Sequence, residues 1–159
     1  MFLENLGPTL TILAASLAAL FPGVASAKGV GGAGEAAAGV LAEDPSKFGR
    51  VLILQALPGT QGIYGLLSWF MIMSQSGLMG GNMNISWQSG LGYLVAALPI
   101  TIVGWLSAVY QGKVSEAGIA LVAKRPEESG KAIVLAVMVE TYAILALLAT
   151  ILAVFSIQV

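Results

Sequence analysis

Apolar residues fill four long runs of this chain, and three short polar turns separate them. The first run spans about Pro8 to Leu41, the second Phe48 to Leu78, the third Ser89 to Ala123 and the fourth Ser129 to Ile157. The turns are Glu43–Lys47, Asn82–Gln88 and Lys124–Glu128, and Pro45, Gly80-Gly81 and Pro126 mark them as breaks. Each run is long enough to cross a bilayer as a helix, which takes about 20 residues. The pattern predicts an all-α membrane protein of four transmembrane helices joined as two hairpins. Ser46 is a candidate N-cap for the second helix, and Trp87 a candidate anchor at the membrane interface.

The first run is rich in glycine, which in water argues against a helix. In a membrane it reads differently. Gly23, Ala27, Gly31 and Gly39 recur at multiples of four and place small residues on one face, where a neighbouring backbone can come close. The start also has the look of a secretion signal, with Ala25-Ser26-Ala27 resembling a cleavage site. The segment before it carries Glu4 and neither Lys nor Arg, which argues against that reading.

Composition sharpens the class. The chain of 159 residues is 57% hydrophobic and only 9% charged, with mean hydropathy +0.89. A soluble domain carries about 25% charged residues. With neither Cys nor His, disulfides, thiolate and imidazole metal sites and histidine acid–base chemistry are excluded. A net charge of −1 offers no basic patch, so no nucleic-acid partner is expected. Lys47, Arg50, Lys124, Arg125 and Lys131 all flank the first and third turns. The positive-inside rule puts those two turns in the cytoplasm and both termini on the outer side.

Against this background one residue stands out. Glu140 sits near the middle of the fourth run, in a stretch from Lys131 to Phe155 that is otherwise apolar for about 24 residues. A carboxylate at that depth is costly and marks a functional site by default.

The two hairpins align without a gap at an offset of 81 positions. Gly23 meets Gly104, Ser26 meets Ser107, Ala27 meets Ala108, Gly31 meets Gly112 and Glu35 meets Glu116. Pro45 meets Pro126, Thr60 meets Thr141 and Ile63 meets Ile144. Glycines, prolines and charges matching at one constant offset indicate an internal duplication, divided as residues 1–80 and 81–159. The copies differ where chemistry is expected: Glu140 meets Gly59, and Gln111 meets Val30.

Counting from the turn prolines places the polar residues in depth. Glu140 lies 14 positions beyond Pro126, Gly59 lies 14 beyond Pro45, and Gln111 lies 15 before Pro126. At about 1.5 Å per residue, these are roughly 21–23 Å along their helices. Thr60 and Gln61, Gln111 and Glu140 therefore share one level, with Tyr64 one turn beyond Thr60. Such side chains can simply join helices by hydrogen bonds. Several oxygen donors beside a lone carboxylate also suit a hard monovalent cation. The donor cage favours Na+; a proton would neutralise Glu140 without needing one. Pro58 cannot donate to the Leu54 carbonyl and, with Gly59, should kink the second helix and free a carbonyl near Leu57.

The stretches Leu54–Gly65 (LQALPGTQGIYG), Gln111–Val114 (QGKV) and Met138–Leu145 (MVETYAIL) resemble those of the proteolipid (K or c) rotor-ring subunits of V-type sodium-translocating ATPases. The resemblance extends over all four helices. It implies a ring of identical subunits turning against a stator, with the first and third helices lining the inner wall. It implies Na+ ligands at the Leu57 backbone carbonyl, Thr60, Gln61, Gln111 and Glu140, with Tyr64 hydrogen-bonded to Glu140. It further implies a stator partner supplying an Arg, central-stalk partners, contact with membrane lipid, and ATP hydrolysis on other subunits. The alternatives at this level are a proton-carrying ring, a small independent cation transporter, and a structural membrane subunit without an ion site. Glu35 and Glu116, with Lys28 and Lys113, are expected to serve as interfacial or intersubunit pairs.

Overall fold

A computed structural model describes residues 5–158. The first crossing is one helix, α1 (Leu6–Glu43). The second is broken into α2 (Phe48–Ala56), a tight 3-10 turn at Leu57–Gly59, and α3 (Thr60–Gln75). The third joins α4 (Trp87–Pro99) to α5 (Trp105–Lys124) through a wider π-type stretch, Ile100–Gly104. The fourth is α6 (Ser129–Phe155), unbroken for 27 residues. Three of these crossings are continuous enough and apolar enough to span a bilayer, and the interrupted second crossing completes the four-helix architecture of two hairpins.

The ends of the bundle follow from contacts across it. The first and third turns lie together, because Lys47 Nζ donates to the Ala123 carbonyl at 2.8 Å. Asp44, not Ser46, caps the first turn: its Oδ1 accepts the Ser46 N–H at 3.0 Å and the Ser46 hydroxyl at 2.6 Å. A short acidic side chain can reach a free amide two residues on, as in an Asx turn, and this fixes the turn before α2 begins. At the opposite end Gly77 and Gly81 adopt φ of +76° and +84°, a conformation open to glycine, and Ser86 caps α4 through the Ser89 N–H. Trp87 follows at once and is exposed, as an interface anchor requires.

Small residues hold the helices together, on a different face of α1 from the predicted stripe. Ala14, Ala18, Ala25, Gly29, Ala33 and Ala37 are buried. At the crossing of α1 and α5 a Cβ added to Gly29 would lie 3.0 Å from the Ala108 carbonyl, and one on Gly112 would lie 2.7 Å from Gly29 Cα. Backbones this close are how membrane helices gain packing where lipid offers no hydrophobic drive. Gly23, Gly31 and Gly39 instead face open space, with nothing within 4 Å of an added Cβ.

The buried interior has two apolar layers. One, toward the termini, gathers Ala14, Ala18, Ile72, Tyr93, Ile100 and Val154. The other, toward the first and third turns, gathers Ala33, Val51, Leu54, Ile119, Val122 and Ala132. A belt of buried polar side chains lies between them.

Candidate functional site

The belt is built around the break in the second crossing. Pro58 is buried, and its ring packs close enough to Gly29 that an added Cβ there would lie 2.8 Å from Pro58 Cβ. Lacking an N–H and crowding the preceding turn, it forces the chain into the tighter 3-10 geometry. The break leaves the first amides of α3 without helical partners. Thr60 N–H turns back to the Leu57 carbonyl. Gly62 N–H crosses to the Ser26 hydroxyl of α1 at 2.8 Å. The Leu57 carbonyl is thereby turned toward the belt, where it also accepts the Thr60 hydroxyl at 3.0 Å.

From there a continuous set of contacts reaches the carboxylate. Thr60 Oγ1 lies 3.4 Å from Gln61 Oε1. Gln61 Nε2 donates to Gln111 Oε1 of α5 and, at 3.2 Å, to the Ser107 hydroxyl. Gln111 Nε2 donates to Glu140 Oε2 at 3.3 Å and to the Ala136 carbonyl at 3.1 Å. Tyr64 OH donates to Glu140 Oε1 at 2.6 Å. Gln61 and Gln111 are fully buried and Glu140 is 8% exposed. Burial of this kind is tolerable only because each polar group has a partner.

Leu57, Thr60, Gln61, Tyr64, Gln111 and Glu140 therefore form one connected cluster, drawn from three crossings. Pro58 and Gly59 make no polar side-chain contact in it; they shape the turn that presents Leu57. Sequence reasoning missed two members. Ser107 bridges Gln61 and the Val139 carbonyl, which it reaches at 3.0 Å, and Ser26 anchors Gly62. Their signal was present: they are each other's counterparts in the repeat and sit polar in mid-helix. Glu116 lies away from this cluster, its carboxylate against Gly32 of α1, while Lys113 stands 5.3 Å over the Tyr110 ring.

Four membrane helices in a duplicated hairpin, with one carboxylate in a mid-depth polar belt, define a proteolipid type of membrane protein. The chain belongs to the ATP synthase C-subunit family: the family model matches twice, over residues 13–72 and again over 94–153. The second match starts and ends 81 positions after the first (94 against 13, 153 against 72), the offset of the duplication. Members of this family form homo-oligomeric rotor rings. The chain is 49% identical over 142 residues to the V-type sodium ATPase subunit K of Enterococcus hirae, spanning 89% of this chain and 88% of that one. It is 40% identical over 138 residues to the A-type ATP synthase subunit K of Methanocaldococcus jannaschii, spanning 87% of this chain and 58% of that longer one.

Proposed function

We propose that this chain is the rotor-ring subunit of a V-type ATPase and carries Na+ across the membrane. The observation that carries the reading is the connected cluster around Glu140. One carboxylate oxygen accepts from Tyr64 and the other from Gln111, an arrangement suited to an ionised group awaiting a counter-charge. The donors at hand are the Leu57 carbonyl, the Thr60 hydroxyl, the Gln61 and Gln111 amide oxygens and Glu140. All are oxygens and together bear one negative charge, so a monovalent hard cation would leave the site neutral. Among the described residues no group of three or more His, Cys, Asp or Glu side chains occurs, so a divalent ion would be left under-neutralised. The similarity to the Enterococcus hirae sodium ATPase subunit K points the same way.

The residues have distinct parts in this scheme. Leu57 and Thr60 share a hydrogen bond that must open for the carbonyl to turn its second lone pair to the ion. Gln61, tied to Gln111 and Ser107, and Gln111, tied to the Ala136 carbonyl, hold their amides in place. Tyr64 keeps Glu140 folded over the site. With its ion bound, Glu140 is neutral enough to pass the lipid; at a stator Arg supplied by a partner the ion leaves into an aqueous path. Central-stalk partners couple the ring to ATP hydrolysis elsewhere in the assembly. The basic residues flanking the first and third turns support a cytoplasmic position for those turns and an outer one for the termini, with the two hairpins divided between residues 80 and 81.

A carbodiimide that attacks protonated carboxyls tests the ion. Glu140 should be labelled in the purified ring, and Na+ should slow the labelling while K+ at equal ionic strength does not. Labelling indifferent to Na+ would mean a proton-carrying ring.

A further inference from the structure

Backbone carbonyls of α6 decide which way the amides of the polar belt point. The Gln111 side-chain nitrogen faces the Ala136 carbonyl at 3.1 Å and Glu140 Oε2 at 3.3 Å. A backbone carbonyl can only accept, so nitrogen belongs on that side and the Gln111 oxygen faces Gln61. Gln61 meets it with nitrogen, which engages one of its two N–H bonds. The other goes to the Ser107 hydroxyl at 3.2 Å. Ser107 in turn donates to the Val139 carbonyl at 3.0 Å, so toward Gln61 its oxygen accepts. Both N–H bonds of Gln61 are thus held by α5, and its oxygen is the atom left beside Thr60 Oγ1, at 3.4 Å. The Thr60 hydroxyl lies nearer the Leu57 carbonyl, at 3.0 Å, and directs its one hydrogen there.

We propose that Ser107 is a positioning residue: it holds the Gln61 amide with its oxygen toward the cation, and so sets Na+ affinity without touching the ion. The inference rests on the Na+ reading above. The amide turned over would place its nitrogen beside Thr60 Oγ1. With Ser107 donating to Val139, that turn gives up two hydrogen bonds for one. Without the hydroxyl it gives up one for one. The empty site would then relax by turning the amide over. A bound cation would force it back and leave the second N–H of a fully buried Gln61 without an acceptor. That penalty falls on the occupied state alone, so it appears as lost affinity.

The repeat sets this role apart from ordinary helix bonding. Ser26 occupies the matching place in α1, and its hydroxyl accepts the Gly62 backbone N–H at 2.8 Å. Two serines at one position of the duplicated hairpin therefore hold neighbouring residues of α3. Ser26 takes a backbone amide freed by the break at Pro58, which any residue at 62 other than proline would present. Ser107 takes a side-chain amide, which only the residue at 61 supplies. The first serine secures the turn; the second secures the sense of one amide within it.

The test compares Ser107→Ala, Ser107→Thr and Ser107→Val in the purified ring. Threonine and valine share a shape and differ in the hydroxyl, so the pair separates hydrogen bonding from packing. Ser107 also borders a groove of about 520 Å³ between the third and fourth crossings, which gives the added methyl room. The readout is the Na+ concentration that halves the rate of carbodiimide labelling at Glu140. It should rise about tenfold in Ser107→Ala and Ser107→Val, the effect of one unpartnered buried N–H, and stay near wild type in Ser107→Thr. A Ser107→Ala ring protected as well as wild type overturns the role of Ser107 and spares the Na+ reading. Threonine and valine variants weakened alike overturn it too, since packing alone would then explain the loss. Wild-type labelling indifferent to Na+ overturns the Na+ reading and this inference with it.

Discussion

The second and fourth crossings descend from one ancestral helix and now differ in kind. The fourth, α6, runs unbroken and carries Glu140 at 14 residues past its turn proline. The second has Gly59 at that place and a 3-10 break around Pro58. One helix contributes charge; the other contributes a displaced carbonyl, a hydroxyl and an amide. A duplicated site whose copies kept the same residue would have two carboxylates to neutralise. Divergence converts the pair into one charge and its neutral cage. The inner helices show the same division. Gln111 in α5 donates to Glu140, whereas its counterpart Val30 is apolar and lies beside Gly59.

The difference between the two crossings is erased most completely at Glu140. Glu140→Gln should end Na+ binding and transport, since removing one partner of a buried charged cluster costs ~2–5 kcal/mol. The ring should still assemble, as seen by native mass measurement alongside a Na+ flux assay. Gly59→Glu, which restores the ancestral symmetry, probes it from the other side. That carboxylate would face Val30 and lack a cage, so stability should fall by ~3 kcal/mol, the cost of an unpaired acid at mid-membrane. Sodium stoichiometry should not rise; a second bound ion per chain would show that the first hairpin retained a latent site. Tyr64→Phe removes one hydrogen bond to a charged acceptor, worth ~1.5–3 kcal/mol. It should weaken Na+ protection of Glu140 against carbodiimide by about tenfold to a hundredfold.

The smallest effect is expected at the turns, where the first turn places Asp44 and the third has Arg125 at the matching position. The Ser46 hydroxyl, then the Ser46 N–H, with help from Lys47, hold the Asp44 carboxyl below its ordinary 3.8. A carboxyl lowered in the folded chain adds stability above its unfolded pKa and loses it as pH falls through the folded one. Asp44→Asn should therefore lower the thermal transition slightly at pH 7, with the gap from wild type closing below about pH 3.8.

Much of this was legible in the sequence because membrane helices obey simple arithmetic. Turn prolines set the zero of depth, and about 1.5 Å per residue places Thr60, Gln61, Gln111 and Glu140 at one level. The break in the second helix followed from Pro58 with Gly59. The buried face of α1 was not legible, because alanine and glycine occupy nearly all its positions and size no longer distinguishes inside from outside. The visible Gly23–Gly31 stripe drew attention to the face that stays open, while Ala25, Gly29 and Ala33 were packed. The π-type stretch at Ile100–Gly104 gave no sign either. Its first amide finds a partner far along the chain, the Thr150 hydroxyl, which accepts the Ile100 N–H at 3.2 Å. Ser107 needed the Gln61 amide brought against it before its role could be seen.

The two apolar layers above and below the polar belt have an electrical consequence. A membrane that stores energy as a voltage is ruined by any standing water thread across it. Along the bundle axis such a thread would have to pass Leu54, Ile119 and Val122 on one side and Ile72, Tyr93 and Ile100 on the other, all fully buried. The layers act as insulating plugs. Glu140 keeps a slight exposure of 8%, and on the proposed reading its cation would exchange there, sideways through the rim of the protein, rather than along the axis.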